Sequence, residues 1–210
     1  MKQFLLLILL FSTTLLFGQD VVILKHQNYT THFSKSKKYP VMVQWETTHA
    51  MVGCPTPLKR KDNFKPDPQL PTETNIGADY VKSGYDRGHV MPAADNLCQT
   101  PQIQDECFYF SNMIPQPHSF NAGIWKTLET LERQIAFDKD STIIWAGGIG
   151  DVKKIGKVSV PEKCWKVLYV RKTKQWKAYL FNNSADTKGD LLKYEVSLDN
   201  IKKITGFLFK

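Results

Sequence analysis

The sequence lacks the spacings that announce several common chemistries. It has no Cys-x-x-Cys and no His-x-x-x-His pair, so nothing marks a zinc site. It has no G-x-S-x-G, which removes the usual support for a serine hydrolase elbow. No segment resembles a recognition helix or a finger, so reading of base edges is not expected. Internal repeats, low-complexity tracts and convincing linkers are also missing. Beyond the first twenty residues, no run is apolar enough to cross a bilayer. Acidic residues are in deficit: 20 Asp and Glu stand against 28 Lys and Arg, a formal charge of +8. Such a surplus attracts polyanions without specifying which one.

At the start stands MKQFLLLILLFSTTLLFGQD. Lys2 precedes an apolar run from Phe4 to Phe17, and Gly18 offers a small residue for cleavage. The run is short and interrupted by Ser12, Thr13 and Thr14, so it reads as a secretory signal peptide over residues 1–18 rather than a membrane span. No cysteine near the cut supports a lipid anchor. The expected mature chain, residues 19–210, is long enough for one domain with a sizeable core. Its destination is periplasmic or extracellular, with no membrane partner.

Export makes disulfides possible, and the four cysteines allow three pairings. Cys98 with Cys107 would close a short loop, leaving Cys54 with Cys164.

Strand-like runs stand at Val21–Leu24, Val41–Thr48, Thr142–Ala146, Trp165–Val170 and Trp176–Phe181. A further strand is expected in TGFLF near the C-terminus. Between Cys54 and Gly84 five prolines and many polar residues make a long irregular excursion. Such loops are often functional, although a surface wrap of no consequence reads the same way. From Asn121 to Phe137, Ile124, Leu128, Leu131 and Ile135 recur at helical spacing. At roughly 100° per residue they fall within an arc of about 60°, one core-facing stripe. Strands, one clear helix and more strands imply a single α+β domain. Its central sheet is mainly antiparallel and flanked by helices.

The chemistry gathers in DRGHVMPAAD, residues 86–95. His89 reads as a satisfied core histidine or as a general base, since imidazole titrates near ~6.5. Arg87 reads as a surface cation or a phosphate contact. Asp86 reads as support for the local turn or for a neighbouring site residue. Downstream, FSNMIPQPHSFNAGIWKTLE places Asn112 in a Ser-Asn step and Asn121 at the start of the helix, with Glu129 eight residues on. Asn121 lies close to the core stripe, where an amide needs a partner. Helix capping and ligation are both open to it.

DRGH with a following proline, then SN-x-x-PQ, then N-x-G-x-W-x-x-L-E, resembles the DNA/RNA non-specific endonucleases. These are nucleases with the ββα-metal active-site motif, and the likeness runs from about Val41 to Phe207. The resemblance implies His89 as general base and Asn121 as metal ligand. It implies Asn112 as an accessory catalytic asparagine and Arg87 as the cation facing the scissile phosphate. Glu129 becomes the acid that helps hold the ion through water. It further implies one hard divalent cation, Mg²⁺ or Mn²⁺, with DNA and RNA as substrates and 5′-phosphate ends. Family members often carry a second, upstream arginine. The stretch SKSKKYPVMVQW offers Lys35, Lys37 and Lys38 instead, and no catalytic role is assigned to them. Two other functions fit the same chain: an inactive polyanion-binding protein on this fold, and a phosphodiesterase acting on smaller substrates.

Overall fold

The structure, a computed structural model, describes residues 20–139 and 141–209. The expected leader and its cleavage point near Gly18 lie outside these residues. Three strands come first, β1 (Val21–Lys25), β2 (Tyr29–Ser34) and β3 (Tyr39–Thr48), then a one-turn helix α1 (His49–Val52). Four short elements follow: β4 (Asp86–His89), α2 (Pro101–Glu106), β5 (Met113–Gln116) and α3 (His118–Phe120). They lead into the long helix α4 (Lys126–Lys139). Then come β6 (Ser141–Ile149), β7 (Lys153–Ile155), β8 (Val158–Val160), β9 (Lys163–Val170) and β10 (Gln175–Asn182). The last two elements are β11 (Glu195–Val196) and α5 (Leu198–Thr205).

Seven strands pair in the order β1-β2-β3-β6-β9-β10-β11, every pair antiparallel. The α+β expectation holds. Alternation along each strand sends side chains to opposite faces. One face carries Val43, Trp45, Ile144, Leu168 and Phe181 against Ile124, Trp125 and Leu128. The other carries Met42, Trp145, Trp165 and Val167 against Ile201 of α5 and Phe209. The predicted stripe behaves as expected, with Ile124 and Leu128 buried and Leu131 and Ile135 packed at its edge.

All five expected strands form, each extended by a residue or more. Strand β2 went unread because its alternation is built from threonines; Tyr29, Thr31 and Phe33 are its buried face. TGFLF is not a strand. Its threonine ends α5, Gly206 caps that helix with φ +74°, and the tail buries Phe209. The cysteine expectation fails as well: Cys54 is bonded to Cys98, with Cα atoms 5.6 Å apart, and Cys107 and Cys164 are free and buried. Cys107 instead donates to the Gln104 carbonyl at the end of α2, and Cys164, in β9, accepts from the Gln116 amide at 3.6 Å.

Lys166, midway along β9, points into the face that packs on α4. Its ammonium lies 2.7 Å from Glu132 Oε2, both side chains fully buried. Trp45 and Trp125 flank it, with ring centroids 5.3 and 4.7 Å away. Glu132→Gln strands that ammonium in the core. We expect a loss of about 3–5 kcal/mol in urea unfolding, and a much smaller one when Glu132→Leu is combined with Lys166→Met. A single-variant loss below about 1 kcal/mol would show the pair to be energetically idle.

Candidate active site

Strands β4 and β5 form a two-stranded antiparallel ribbon with Asp86 opposite Gln116 and His89 opposite Met113. Gly88 is obligatory here. A Cβ on it would sit 2.0 Å from Gln116 Oε1, because the glutamine side chain lies across the strand. Past His89 the chain is clamped by Asn112. The Asn112 carbonyl accepts from Val90 N–H, and its Oδ1 accepts from Met91 N–H at 2.9 Å. Its Nδ2 donates to the carbonyls of Met91 and Cys107, both at 2.9 Å. Asn112 is fully buried and its amide wholly engaged in holding the His89 segment. Trp125 adds a fourth tie, its indole N–H donating to the His89 carbonyl at 3.1 Å.

His89 itself stands between Phe64 and Phe108, with ring centroids 5.5 and 5.0 Å away. It is 8% exposed, and its Nε2 has no hydrogen-bond partner among the described residues. Burial, reinforced by the charges of Arg60 and Arg87 against the opposing Asp62, pushes its pKa down to about 3. The imidazole is therefore neutral at pH 7, with a lone pair available.

Phe64 and Arg60 belong to the proline-rich excursion, which forms one wall of the site. The Arg87 guanidinium lies over the Phe64 ring at 4.2 Å, and that of Arg60 over Phe108 at 5.4 Å. Arg60 was missed in the sequence. Of the upstream lysines, to which no catalytic role is assigned, Lys37 pairs with Asp151 at 3.0 Å. A lone arginine beside an aromatic in KRKDNF was the available signal.

The chain becomes helical at His118, three residues before Asn121. Asn121 is therefore no cap. It lies in a wide turn over Asn121–Trp125, where Gly123 departs from helical geometry (φ −97°, ψ −113°). Its Nδ2 donates to Asp86 Oδ2 at 2.9 Å, and that same oxygen meets His118 Nδ1 at 2.8 Å. With the amide nitrogen committed, Oδ1 is left without a partner among the described residues.

Glu129 follows on the first turn of α4, half-buried and without a hydrogen bond among the described residues. Burial pushes its pKa up to about 7, against the pull of Lys166 and Arg133. Arg133, one turn on, reaches the buried Asp95 at 3.3 Å. Asp86, Arg87 and Asn121 share a cavity of about 520 Å³ with Phe64, Tyr80 and Tyr85. Both His89 and Glu129 lie within the field of Arg60.

Among the described residues no group of three or more His, Cys, Asp or Glu is arranged to hold a metal. The donors on offer are one unpartnered amide oxygen and one carboxylate, both hard. They fit a cation such as Mg²⁺, which dehydrates reluctantly and is held through few protein groups. They do not fit zinc.

Comparison with known proteins shows the family of the chain. The family model described as DNA/RNA non-specific endonuclease matches residues 9–210. A nuclease of Nostoc sp. is 30% identical, covering 94% of this chain and 76% of that protein. The Serratia marcescens nuclease is 28% identical over 91% of this chain and 75% of its own length. The human mitochondrial nuclease EXOG is 28% identical over 88% of this chain, which spans only 55% of that protein. Among solved structures, one titled as the EndoG/EndoGI complex superposes with a TM-score of 0.79 at 26% identity, covering 89% of this chain and 84% of that one.

The depressed pKa of His89 makes a prediction about acid stability. The folded chain refuses a proton that the unfolded chain accepts below ~6.5, so stability is lost as pH falls from there toward about 3. His89→Gln is expected to flatten the fall of Tm between pH 6.5 and pH 4. Parallel curves for the two proteins would show that His89 is not held neutral by the fold.

Proposed function

Since this chain belongs to the DNA/RNA non-specific endonucleases, we propose that it cuts phosphodiester bonds within DNA and RNA using His89 as general base. A divalent cation, Mg²⁺ by preference, is held at Asn121 and, through water, at Glu129. The protein is a nuclease. The reading of its mechanism rests above all on the buried, unpartnered Nε2 of a neutral histidine.

Hydrolysis needs a water stripped of its proton, a phosphate whose added charge is offset, and a departing 3′ oxygen that is accommodated. His89 takes the proton from the attacking water, a contribution of ~10²–10⁴ in rate. A histidine with so low a pKa is a weak base. An incoming phosphodiester anion and the water it draws in offset the desolvation and favour the imidazolium. Arg87 faces the non-bridging oxygens, where preorganised positive charge counts most as the transition state forms. Arg60, on the opposite aromatic wall, adds to the same field. When bound, the cation supplies Lewis-acid neutralisation of the phosphate and of the departing oxygen. Asp86 fixes the Asn121 amide so that Oδ1 faces outward, and Asn112 holds the His89 backbone in place. The products are 5′-phosphate ends.

Sequence preference is low in this reading, because positioning contacts to phosphate carry no base information. Export through the leader at residues 1–18 is part of the proposal, supported by the Cys54–Cys98 disulfide, which belongs to an oxidising compartment.

Residues 19–210 are expected to degrade plasmid DNA and ribosomal RNA with Mg²⁺ and to stop in EDTA. End-labelling should find 5′-phosphates, and His89→Ala should be slower by ~10²–10⁴. A folded native protein that binds DNA yet cuts neither substrate under any divalent ion would replace this reading with that of a binding protein.

A further inference from the structure

The cavity beside Arg87 continues beyond the reacting groups. Phe64, Tyr80, Val81 and Tyr85 line it together with Arg87, Asn121 and the carboxylates of Asp62 and Asp86. Tyr80 is 5% exposed, and its hydroxyl has no hydrogen-bond partner among the described residues. Val81, by contrast, is 68% exposed. A buried donor without a partner and an apolar residue left in water both suit a surface that something covers.

The β7–β8 hairpin is fixed against this wall. Gly156, at its turn, has φ +52°, and a Cβ there would lie 1.9 Å from Asp79 Oδ1. Lys157 N–H donates to that same oxygen at 3.2 Å. Asp79 belongs to the turn Gly77–Tyr80 that lines the cavity. Ile155, Val158 and Val160 pack with Tyr80 and Tyr85 beneath. The docking carries Lys153 over the Tyr85 ring at 4.8 Å. Lys153, Lys154 and Lys157 are exposed and have no carboxylate partner among the described residues. Of the nearby acids, Asp62 is taken by Arg60, Asp151 by Lys37, and Asp86 by Asn121 and His118, while among the described residues Asp79 accepts only the Lys157 backbone N–H.

We infer that this cavity and hairpin form a strand-binding tract for unpaired nucleic acid. One unstacked nucleotide occupies the cavity beside the scissile phosphate, and Lys153, Lys154 and Lys157 hold the phosphates that follow. The cavity volume, about 520 Å³, suits a single such unit. Only an unstacked base presents its face to aromatic walls; in a duplex that face is hidden. The Tyr80 hydroxyl then donates to the edge of the base or to the sugar. This inference rests on the nuclease reading but reaches further, since it assigns a preference for the state of the strand.

Binding measured in EDTA separates the inference from turnover. The probe is a fluorescein-labelled 12-nucleotide DNA, single-stranded or annealed, followed by anisotropy against salt. Lys153→Gln, Lys154→Gln and Lys157→Gln combined are expected to reduce the salt slope for the single strand by about 2, at ~0.7 per phosphate contact. A control of equal charge, Lys172→Gln with Lys174→Gln and Lys203→Gln, should change it by less than about 1. The β9–β10 turn that holds Lys172 and Lys174 lies at the opposite end of the sheet from β7–β8. Tyr80→Phe should weaken single-strand binding roughly 3–10-fold, leave duplex binding unchanged and not lower Tm, because the lost hydroxyl had no partner. Equal slopes in the two triple variants, or equal loss on both strand forms in Tyr80→Phe, would overturn the tract. Native protein that binds in this pattern but never cleaves would overturn the nuclease reading instead and leave the tract standing.

Discussion

Everything in the site hangs from a buried ion pair. A lysine and a glutamate removed from water must meet each other well or not be there at all, because desolvation costs several kcal/mol per ion. Lys166 and Glu132 meet at 2.7 Å with the two indoles around them, which leaves α4 one rotation and one height on the sheet. Trp125, on the near side of that pair, donates its indole N–H to the His89 carbonyl. The sheet thus sets the helix, and Trp125, the last residue of the turn that leads into it, ties down the strand that carries the imidazole. Asn112 closes the frame from the other side.

The electrostatics follow from that frame. His89 is neutral because it is buried beside two guanidinium groups, and Glu129 is lifted toward neutrality by the desolvation of its half-buried place on α4. The two groups are strained in ways that an arriving anion and cation would relieve together. A phosphate lowers the cost of charging the histidine, and a metal ion lowers the cost of ionising the glutamate. In the proposed mechanism the free protein holds both in the form that substrate and metal would change, which is preorganisation of charge rather than of shape.

Much of this was legible in the residues. Alternation and β-branching revealed five of the seven strands of the main sheet, and the stripe from Ile124 to Ile135 gave the face of α4. DRGH and the downstream asparagines marked the site by chemistry and order. What stayed hidden shares a cause: it depends on contacts between distant segments. The ribbon β4–β5 has four residues per strand, too few for periodicity to speak. Arg60 sits in a charged run that reads as solvated until Phe108 is seen beneath it. Cys54 and Cys98 are 44 residues apart, and only the packing of the excursion brings them together. Lys166 was the exception that could have been caught, since it shares the inward face of β9 with Cys164 and Leu168.

The wide turn at Asn121–Trp125 has a consequence for how this architecture tolerates change. A residue inserted in a regular helix rotates everything beyond it by about 100°. Here the irregular turn separates Asn121 from the regular part of α4, while Ile124 and Trp125 within the turn are themselves buried in the core. Shifts along α4 beyond Trp125 can be absorbed before they reach Asn121, whereas a length change within the turn would move Ile124 and Trp125 as well. The turn thus gives play between the regular helix and Asn121, so that a change further along α4 need not be transmitted to that amide.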